Sequence, residues 1–177
     1  MSENLEDYYP PTDPDEMSYD PESPEDAFSR YKRGLSLNEE LLAGKKILDV
    51  GSQNRNFAKY IDGRYPNTKV VSIDKIFNQN ISAQMSTENI AFQPESFDIV
   101  LAHGIPWDTE ELKKSISEFL NILCPLGEIR IGTLWSNTPQ WLELQTLLSN
   151  LKSQGLIEVE DIETEEKQYC VVIKKLS

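Results

Sequence analysis

Residues 45–57 read KKILDVGSQNRNF, and this stretch decides the fold prediction. Residues 46–50, with Ile47, Leu48 and Val50, have the length of a buried strand, and Gly51 follows where a tight turn is needed. The polar residues after Gly51 lead into a helix that we place at 55–62. A buried strand that turns directly into a helix is where α/β proteins hold a nucleotide-like cofactor.

Outward from this stretch, strand-like runs alternate with helical patterns. We predict strands at 46–50, 69–73, 97–102 and 128–134, with 90–92 as a short third strand or its exit, and helices at 109–123 and 138–155, the last capped by Thr138. The alternating runs 156–162 and 168–175, joined by 163–167, predict an antiparallel pair. This order predicts a mostly parallel sheet with helices on both faces and an antiparallel edge.

Two short helices are predicted before the first strand. Ser23 has the residue type of a helix cap, Pro24 suits the first helical position, and Gly34 ends that helix. Ser36 and Glu39 predict a capping box for a second helix. We therefore divide the folded part, residues 23–177, into N-terminal helices at 23–44 and a core at 45–177.

The net charge of -13 is concentrated in an N-terminal tail, residues 1–22. Residues 1–26 contain ten acidic residues and no Lys or Arg, and prolines interrupt them. This composition predicts disorder, with a basic cluster at 30–33 to hold the tail. The tail is either a solvated leader or a segment that folds over the ligand edge or binds a basic protein partner through Tyr8, Tyr9 and Tyr19. Its charge argues against a nucleic-acid substrate.

Composition also bounds the compartment and the metal chemistry. The sequence has neither an apolar run long enough to span a membrane nor an N-terminal secretory signal, so we expect a cytoplasmic protein without a membrane partner. Cys124 and Cys170 are predicted to be reduced, buried thiols. One histidine and two distant cysteines form no ligand cluster, so no metal site is predicted.

Four segments together resemble class I S-adenosylmethionine-dependent methyltransferases over residues 36–175. Asp49 and Gly51 match the start of that family's Asp-x-Gly-x-Gly-x-Gly motif, and the other segments are 70–74, 92–100 and 120–133. The resemblance implies an α/β, Rossmann-like three-layer sandwich. Its sheet would be mostly parallel, with seven strands or six, and would end in a C-terminal antiparallel hairpin.

The resemblance also implies a site and a cofactor, S-adenosylmethionine. Asp74 stands where the family places an acid on the ribose hydroxyls, and Ser86 stands where it places an aspartate on the adenine amino group. His103 follows the predicted strand 97–102 at the ligand edge and is the candidate catalytic base. The implied cofactor-binding residues are Asp49, Gly51, Ser52, Gln53, Asp74, Lys75, Ser86, Thr87 and His103.

The chain departs from the family pattern at the glycine loop and at the adenine position. Gln53 and Arg55 stand where the second and third glycines belong. Because Asn tolerates left-handed backbone, we expect Asn54 and Asn56 to take over the turn. Ser86 offers a hydroxyl where a carboxylate would give a charged partner, which predicts weaker cofactor binding.

Several of these residues also have a purely structural interpretation. Asp49 would then stabilise an Asx-type turn, Asp74 would be a solvated strand end, and His103 would be an exposed loop histidine. Asp108 is predicted to cap the helix that follows it. Trp107 and Trp135 either wall a substrate pocket or pack.

Three function classes follow. The first is a methyltransferase acting on an unknown methyl acceptor. The second is a catalytically inactive scaffold or regulatory module on the same fold that has lost cofactor binding. The third is a nicotinamide-dinucleotide protein, whose Gly-x-Gly-x-x-Gly motif is represented here only by Gly51.

Overall fold

The computed structural model describes residues 22–76, 81–134, 139–163 and 169–177. The helices within these ranges are α1 (Pro24–Gly34), α2 (Glu39–Leu42), α3 (Asn56–Arg64), α4 (Thr109–Ile122) and α5 (Pro139–Ser153). The strands are β1 (Lys46–Val50), β2 (Lys69–Asp74), β3 (Ala83–Gln84), β4 (Phe97–His103), β5 (Leu123–Leu134), β6 (Ile157–Glu163) and β7 (Tyr169–Lys175).

The strands of the described ranges form one seven-stranded sheet with the order β3-β2-β1-β4-β5-β7-β6. Strands β1 to β5 pair in parallel, whereas β7 runs antiparallel to both β5 and β6. This topology confirms the predicted mostly parallel sheet with a C-terminal antiparallel hairpin. The order reverses between β1 and β4, so their carboxyl ends form the crevice in which sheets of this type hold ligands.

Side chains alternate along the central strands, so the sheet has two different faces. Ile47 of β1 and Ile99 of β4 lie in the cluster beneath α1, α2 and α3. Leu48 and Val100, their neighbours, lie in the larger cluster beneath α4 and α5. Helices on both faces complete the predicted three layers, and the period of two makes β1 buried on both sides.

A buried ion pair holds the connection after α1 against the sheet. Arg130 of β5 donates from Nε to Glu128 at 2.5 Å and from Nη1 to the carbonyl oxygens of Leu35 and Ser36 at 2.9 and 2.8 Å. Hydrogen bonds to a charged donor are stronger than neutral ones. This contact therefore fixes the end of α1 over the carboxyl half of β5.

Three predicted elements differ in the structure. The third strand is Ala83–Gln84, because these two residues pair in parallel with Ile73 and Asp74 of β2, whereas residues 90–92 follow that strand and belong to no described strand. Helix α2 is capped by Asn38, which accepts from the Leu41 N–H, because Ser36 has left-handed backbone and cannot serve as the cap. Strand β5 begins at Leu123 rather than 128 and carries the predicted helix break at 124–127 within it.

The remaining element predictions are confirmed or fall outside the described ranges. Ser23 caps α1, Pro24 opens it, and the helix ends at Gly34 as expected. The two cysteines are free, with Cys170 buried and Cys124 only partly so. Outside the description lie the cap assigned to Thr138, the pocket role of Trp135, residues 164–167 of the predicted connection, and residues 1–21 of the tail.

Candidate functional site

The turn after β1 is built around three left-handed residues. Gly51 has φ +71°, and its N–H donates to the carbonyl oxygen of Ile73 at 2.9 Å. Gln53 and Arg55 also have positive φ, at 49° and 57°. The expectation that Asn54 and Asn56 would take over the turn is therefore wrong. Asn56 instead begins α3, and the non-glycine residues at the glycine positions keep the left-handed conformation.

Asp74, at the carboxyl end of β2, explains how this turn is held. One carboxylate oxygen accepts from the backbone N–H of Gln53 at 3.0 Å, and the other accepts from the N–H of Ile76 at 2.8 Å. Left-handed backbone at a non-glycine residue costs free energy unless its surroundings fix it. The Asp74 carboxylate provides that fixation and joins the loops after β1 and β2.

Asp49 is completely buried beneath α1. Its Oδ1 accepts from the Tyr31 hydroxyl at 2.8 Å, and its Oδ2 accepts from the Ser72 hydroxyl at 3.3 Å. Burial raises the pKa of Asp49 to about 6, against the lowering effect of the two hydroxyls. The carboxylate thus joins β1 to α1 and β2. An Asx-type turn would instead bond Asp49 to backbone groups close to it in sequence.

His103 lies at the end of β4 with its ring packed between two glycines. A Cβ added to Gly34 of α1 would stand 2.2 Å from His103 Cε1, and one added to Gly132 of β5 would stand 2.9 Å from Nδ1. The Tyr31 ring contacts the imidazole edge-on, with 5.4 Å between centroids. The ring is 8% exposed, so the interpretation as an exposed loop histidine is wrong, and an acceptor would reach it only if α1 moved.

The segment assigned to adenine is tied to α4. The Thr87 hydroxyl accepts from Trp107 Nε1 at 3.1 Å and from the Ser115 hydroxyl at 2.6 Å. It also lies 3.4 Å from a Glu88 carboxylate oxygen, to which it donates. Ser86 forms an antiparallel bridge with Asn89, which bends the segment back on itself. The Thr87 hydroxyl therefore already has three partners.

Three residues that flank the candidate site, Trp107, Asp108 and Lys75, make contacts within the fold. Trp107 is buried and packs on Phe119, with ring centroids 6.4 Å apart, so its packing interpretation is confirmed. Asp108 caps α4 in a full capping box with Glu111, as predicted. Lys75 is exposed, and its Nζ pairs with the same Glu111 at 3.1 Å.

A small recess opens between α1 and the turn after β1. The Glu22 carboxylate and the Arg30 guanidinium form an ion pair on the α1 side of the recess, and Ser52 lies on the side formed by the turn. The Ser52 hydroxyl oxygen is buried and has no hydrogen-bond partner among the described residues. The recess holds about 20 Å³, room for little more than one water molecule.

Sequence reasoning missed three members of this site: Glu22, Arg30 and Tyr31. Tyr31 stands in the helix predicted to begin at Pro24, and a buried phenol there requires a hydrogen-bond partner. Of the basic cluster predicted to hold the tail, Arg30 pairs with Glu22, the tail's last residue, and residues 1–21 lie outside the described ranges. The sequence signal that indicates a shared site is an acidic segment, residues 1–22, followed by a helix with basic residues at 30–33.

Asp74 offers hydrogen-bond acceptors, and Ser52 offers a hydroxyl, of the kind that ribose hydroxyls and an amino-acid group require. Asp74 accepts one backbone N–H on each carboxylate oxygen, which leaves lone pairs for hydroxyl donors. The Ser52 hydroxyl, which has no hydrogen-bond partner among the described residues, belongs to the same turn, and a Cβ added to Gly51 would stand 3.1 Å from Ile105 Cγ1. The recess itself is too small for a ligand of that size, which needs several hundred Å³. Binding therefore requires displacement of groups that now cover the turn.

The described ranges contain neither a candidate metal site nor a candidate membrane span. No group of three or more His, Cys, Asp and Glu residues is placed to hold a metal ion there. No helix in the same ranges combines the length and the apolar composition of a membrane span.

Comparisons with known proteins show which solved structures share this fold. No protein-family model and no curated protein sequence matches the chain. Among solved structures, a SAM-dependent methyltransferase from Archaeoglobus fulgidus is 14% identical with a TM-score of 0.62, covering 86% of this chain and 95% of that one. Human N-acetylserotonin methyltransferase, in complex with SAM, is 12% identical with a TM-score of 0.58, covering 87% of this chain and 55% of that one.

The pyocyanin biosynthetic protein PhzM is similar to the same degree. It is 14% identical with a TM-score of 0.58, and the match covers 84% of this chain and 54% of PhzM. The chain thus spans about half the length of PhzM and of the human enzyme. At these identities the likeness is one of fold, and this chain has the fold of class I S-adenosylmethionine-dependent methyltransferases.

Proposed function

We propose that this chain is an S-adenosylmethionine-dependent methyltransferase acting on an acceptor whose identity is open. The observation that carries the proposal is the turn after β1. Gly51 is left-handed there, and the Asp74 carboxylate is fixed on the Gln53 N–H at the carboxyl edge where β1 and β4 diverge. Retention of this geometry without the family's second and third glycines supports a ligand-binding role for the turn.

Different residues would contact the ribose, the amino-acid part and the adenine of the cofactor. Asp74 would accept from the ribose hydroxyls, with Lys75 beside it, and Ser52 would contact the amino-acid part together with the backbone of Gly51 and Gln53. Ser86 would contact the adenine, whereas Thr87, whose hydroxyl has three partners, would position that segment. Asp49 would act through Tyr31 and Ser72 rather than by direct contact.

The cofactor, when bound, supplies a methyl group already activated on a sulfonium. The protein's residues then need only to align the acceptor with that methyl group and exclude water, and alignment alone can supply much of the rate enhancement. We retain His103 as the candidate base for a hydroxyl acceptor. Because α1 covers its ring, that role requires the displacement of α1, the same movement that would enlarge the recess.

Calorimetric titration with S-adenosylmethionine and S-adenosylhomocysteine tests the proposal. We expect micromolar binding of both, and Asp74→Ala should weaken it by about 1–3 kcal/mol because hydroxyl donors lose their acceptor. Asp98→Ala is the matched control: Asp98 also accepts a backbone N–H, that of Lys46 at 2.8 Å, at the opposite edge of the sheet. Equal losses of affinity in the two variants would contradict the ribose role.

A second candidate function is the non-catalytic module on the same fold. The observation that favours it is that the Tyr31 hydroxyl and helix α1 already cover Asp49 and His103. Absence of binding at millimolar S-adenosylhomocysteine, with the fold intact by circular dichroism, would select this second function. Binding in the micromolar range would exclude it.

A further inference from the structure

The ion pair over the recess has the geometry of a ligand contact. Arg30 Nε donates to Glu22 Oε1 at 2.9 Å, and Arg30 Nη2 donates to Oε2 at 2.8 Å. Two parallel N–H···O bonds from one guanidinium are the arrangement by which arginine recognises carboxylate groups. The two side chains are 41% and 31% exposed, and both line the recess beside the turn after β1.

Further donors for a carboxylate lie on the other wall of the recess. The Ser52 hydroxyl oxygen is buried without a partner among the described residues. Helix α3 begins beside it, and its N-cap residue Arg55 makes no side-chain capping hydrogen bond. A carboxylate held by Arg30 and directed to this wall would therefore meet a hydroxyl donor and the positive end of a helix.

Glu22 is held in this place through its main-chain carbonyl group. Asn56, the first residue of α3, donates from Nδ2 to the Glu22 carbonyl oxygen. Glu22 lies immediately before the α1 cap and is the last residue of the tail. The chain thus supplies, from within itself, the chemical group that an amino-acid ligand would present to Arg30.

We propose that Arg30 is the binding residue for the carboxylate of the ligand's amino-acid part, and that Glu22 is an intramolecular competitor that occupies Arg30 until the ligand displaces it. The inference rests on the proposed function, in which that ligand is S-adenosylmethionine. The apparent affinity of such a site is lowered by the fraction of molecules in which Glu22 occupies the guanidinium.

Two substitutions in the full chain test the inference with two probes. S-adenosylhomocysteine carries the carboxylate, and 5′-deoxy-5′-methylthioadenosine carries the same nucleoside without it. We expect Glu22→Gln to tighten S-adenosylhomocysteine binding about tenfold, because the competing charge is removed. We expect Arg30→Gln to weaken it about tenfold, because the charged fork is lost. Neither change should alter methylthioadenosine binding.

The matched controls lie on the same helix. Glu25→Gln removes an exposed acid that pairs with Arg64 at 3.5 Å, and Lys32→Gln removes an exposed cation. Neither residue lines the recess, so both controls should bind like the wild type. The melting temperature of every variant is measured, and Arg30→Lys, which keeps the charge but loses the fork, replaces Arg30→Gln should the latter not fold.

The outcomes separate this inference from the proposed function. S-adenosylhomocysteine binding that is equal in wild type, Glu22→Gln and Arg30→Gln would overturn the inference and leave the proposed function standing. A lower melting temperature for Glu22→Gln without tighter binding would also overturn it, since the pair would then only attach α1. No binding of either probe to any folded variant would overturn the proposed function and the inference with it.

Discussion

The two faces of the sheet bury different kinds of side chain. On the face covered by α1, α2 and α3, polar residues from four strands lie buried among the apolar ones. On the face covered by α4 and α5, Ser115 is the one buried polar residue among those whose burial the structure describes. The first group comprises Asp49, Ser72, His103, Glu128 and Arg130.

One face of the sheet supplies most of the stability, and the other holds the candidate site. A buried polar group costs free energy unless it is hydrogen-bonded, and a paired one contributes little compared with a well-packed apolar side chain. The α4–α5 face, being almost wholly apolar, therefore supplies most of the stability. The α1–α3 face keeps groups such as Asp49 that contribute less to folding, and the proposed ligand contacts lie at its carboxyl edge.

The largest expected effect concerns the apolar face. Phe119 of α4 is completely buried in that cluster. We expect Phe119→Ala to lower the free energy of unfolding by about 3–5 kcal/mol, the loss of burial plus the cavity it leaves. Urea denaturation measures this. A loss below about 1 kcal/mol would show that the α4–α5 face does not supply most of the stability.

The next effect concerns the buried acid of the polar face. The folded pKa of Asp49 is about 6, above the 3.8 of an ordinary aspartate. A raised folded pKa means that the folded state binds the proton more tightly than the unfolded state. The stability from Asp49 is therefore fully present below pH 3.8 and is lost as the pH rises from 3.8 to about 6.

Asp49→Asn should remove this pH dependence. The free energy of unfolding of the variant, relative to wild type, should rise by about 3 kcal/mol between pH 3.5 and pH 6.5, the energy of a shift of about two pKa units. Urea titrations at a series of pH values measure this difference. A wild-type-to-variant difference that stays constant with pH would contradict the assignment of a perturbed, buried carboxylate.

The elements of both faces could be predicted from sequence because their signals are local. Ile47, Leu48 and Val50 give β1 apolar side chains on both faces, and the stripe of Leu112, Ile116 and Phe119 marks α4. The caps at Ser23 and Asp108 were predictable for the same reason, since a cap depends on residues within one turn. The architecture followed from the order of these elements.

The polar contacts of the α1–α3 face could not be predicted, because they join residues from separate elements. Nothing near Tyr31 in sequence indicates Asp49, and nothing near Gly34 indicates that it packs on His103. These contacts exist only once α1 docks on the sheet. The same reason explains Gln53, which takes the left-handed turn against its intrinsic preference because Asp74, from another strand, accepts its N–H.

The third effect tests how closely α1 packs on the polar face. Gly34→Ala would place a Cβ within 2.2 Å of the His103 ring. We expect it to destabilise the fold by about 1–3 kcal/mol, as overpacking of a core does. Gly63→Ala in α3 is the control, because a Cβ there meets nothing within 4 Å. That control should stabilise the helix by about 0.5–1 kcal/mol.

A double variant shows whether the histidine is the cause. In Gly34→Ala with His103→Ala the ring that would clash is gone, so the cost of the alanine at position 34 should fall below about 0.5 kcal/mol. The free energies of the four proteins in this cycle come from urea denaturation. Additive effects in the double variant would mean that Gly34 is required by the helix end rather than by His103.

The smallest effect compares the caps of two helices, one from each face. Ser23 accepts the Asp26 N–H at 3.1 Å in α1, and Asp108 accepts the Glu111 N–H at 2.8 Å in α4. Alanine at either position should cost its helix about 1 kcal/mol. Because α4 lies against the main apolar cluster, we expect Asp108→Ala to lower the global free energy of unfolding by that amount.

Ser23→Ala should act differently if α1 opens as ligand binding to the enlarged recess requires. Helix α1 precedes every strand and can detach without breaking the sheet, so its opening is expected to be a local event. Amide hydrogen exchange should then quicken at Ala27 and Tyr31 while exchange in β1 and β4 stays at the wild-type rate. Equal acceleration in α1 and in the strands would mean that α1 unfolds only with the whole domain, and the polar face would then be closed to ligands.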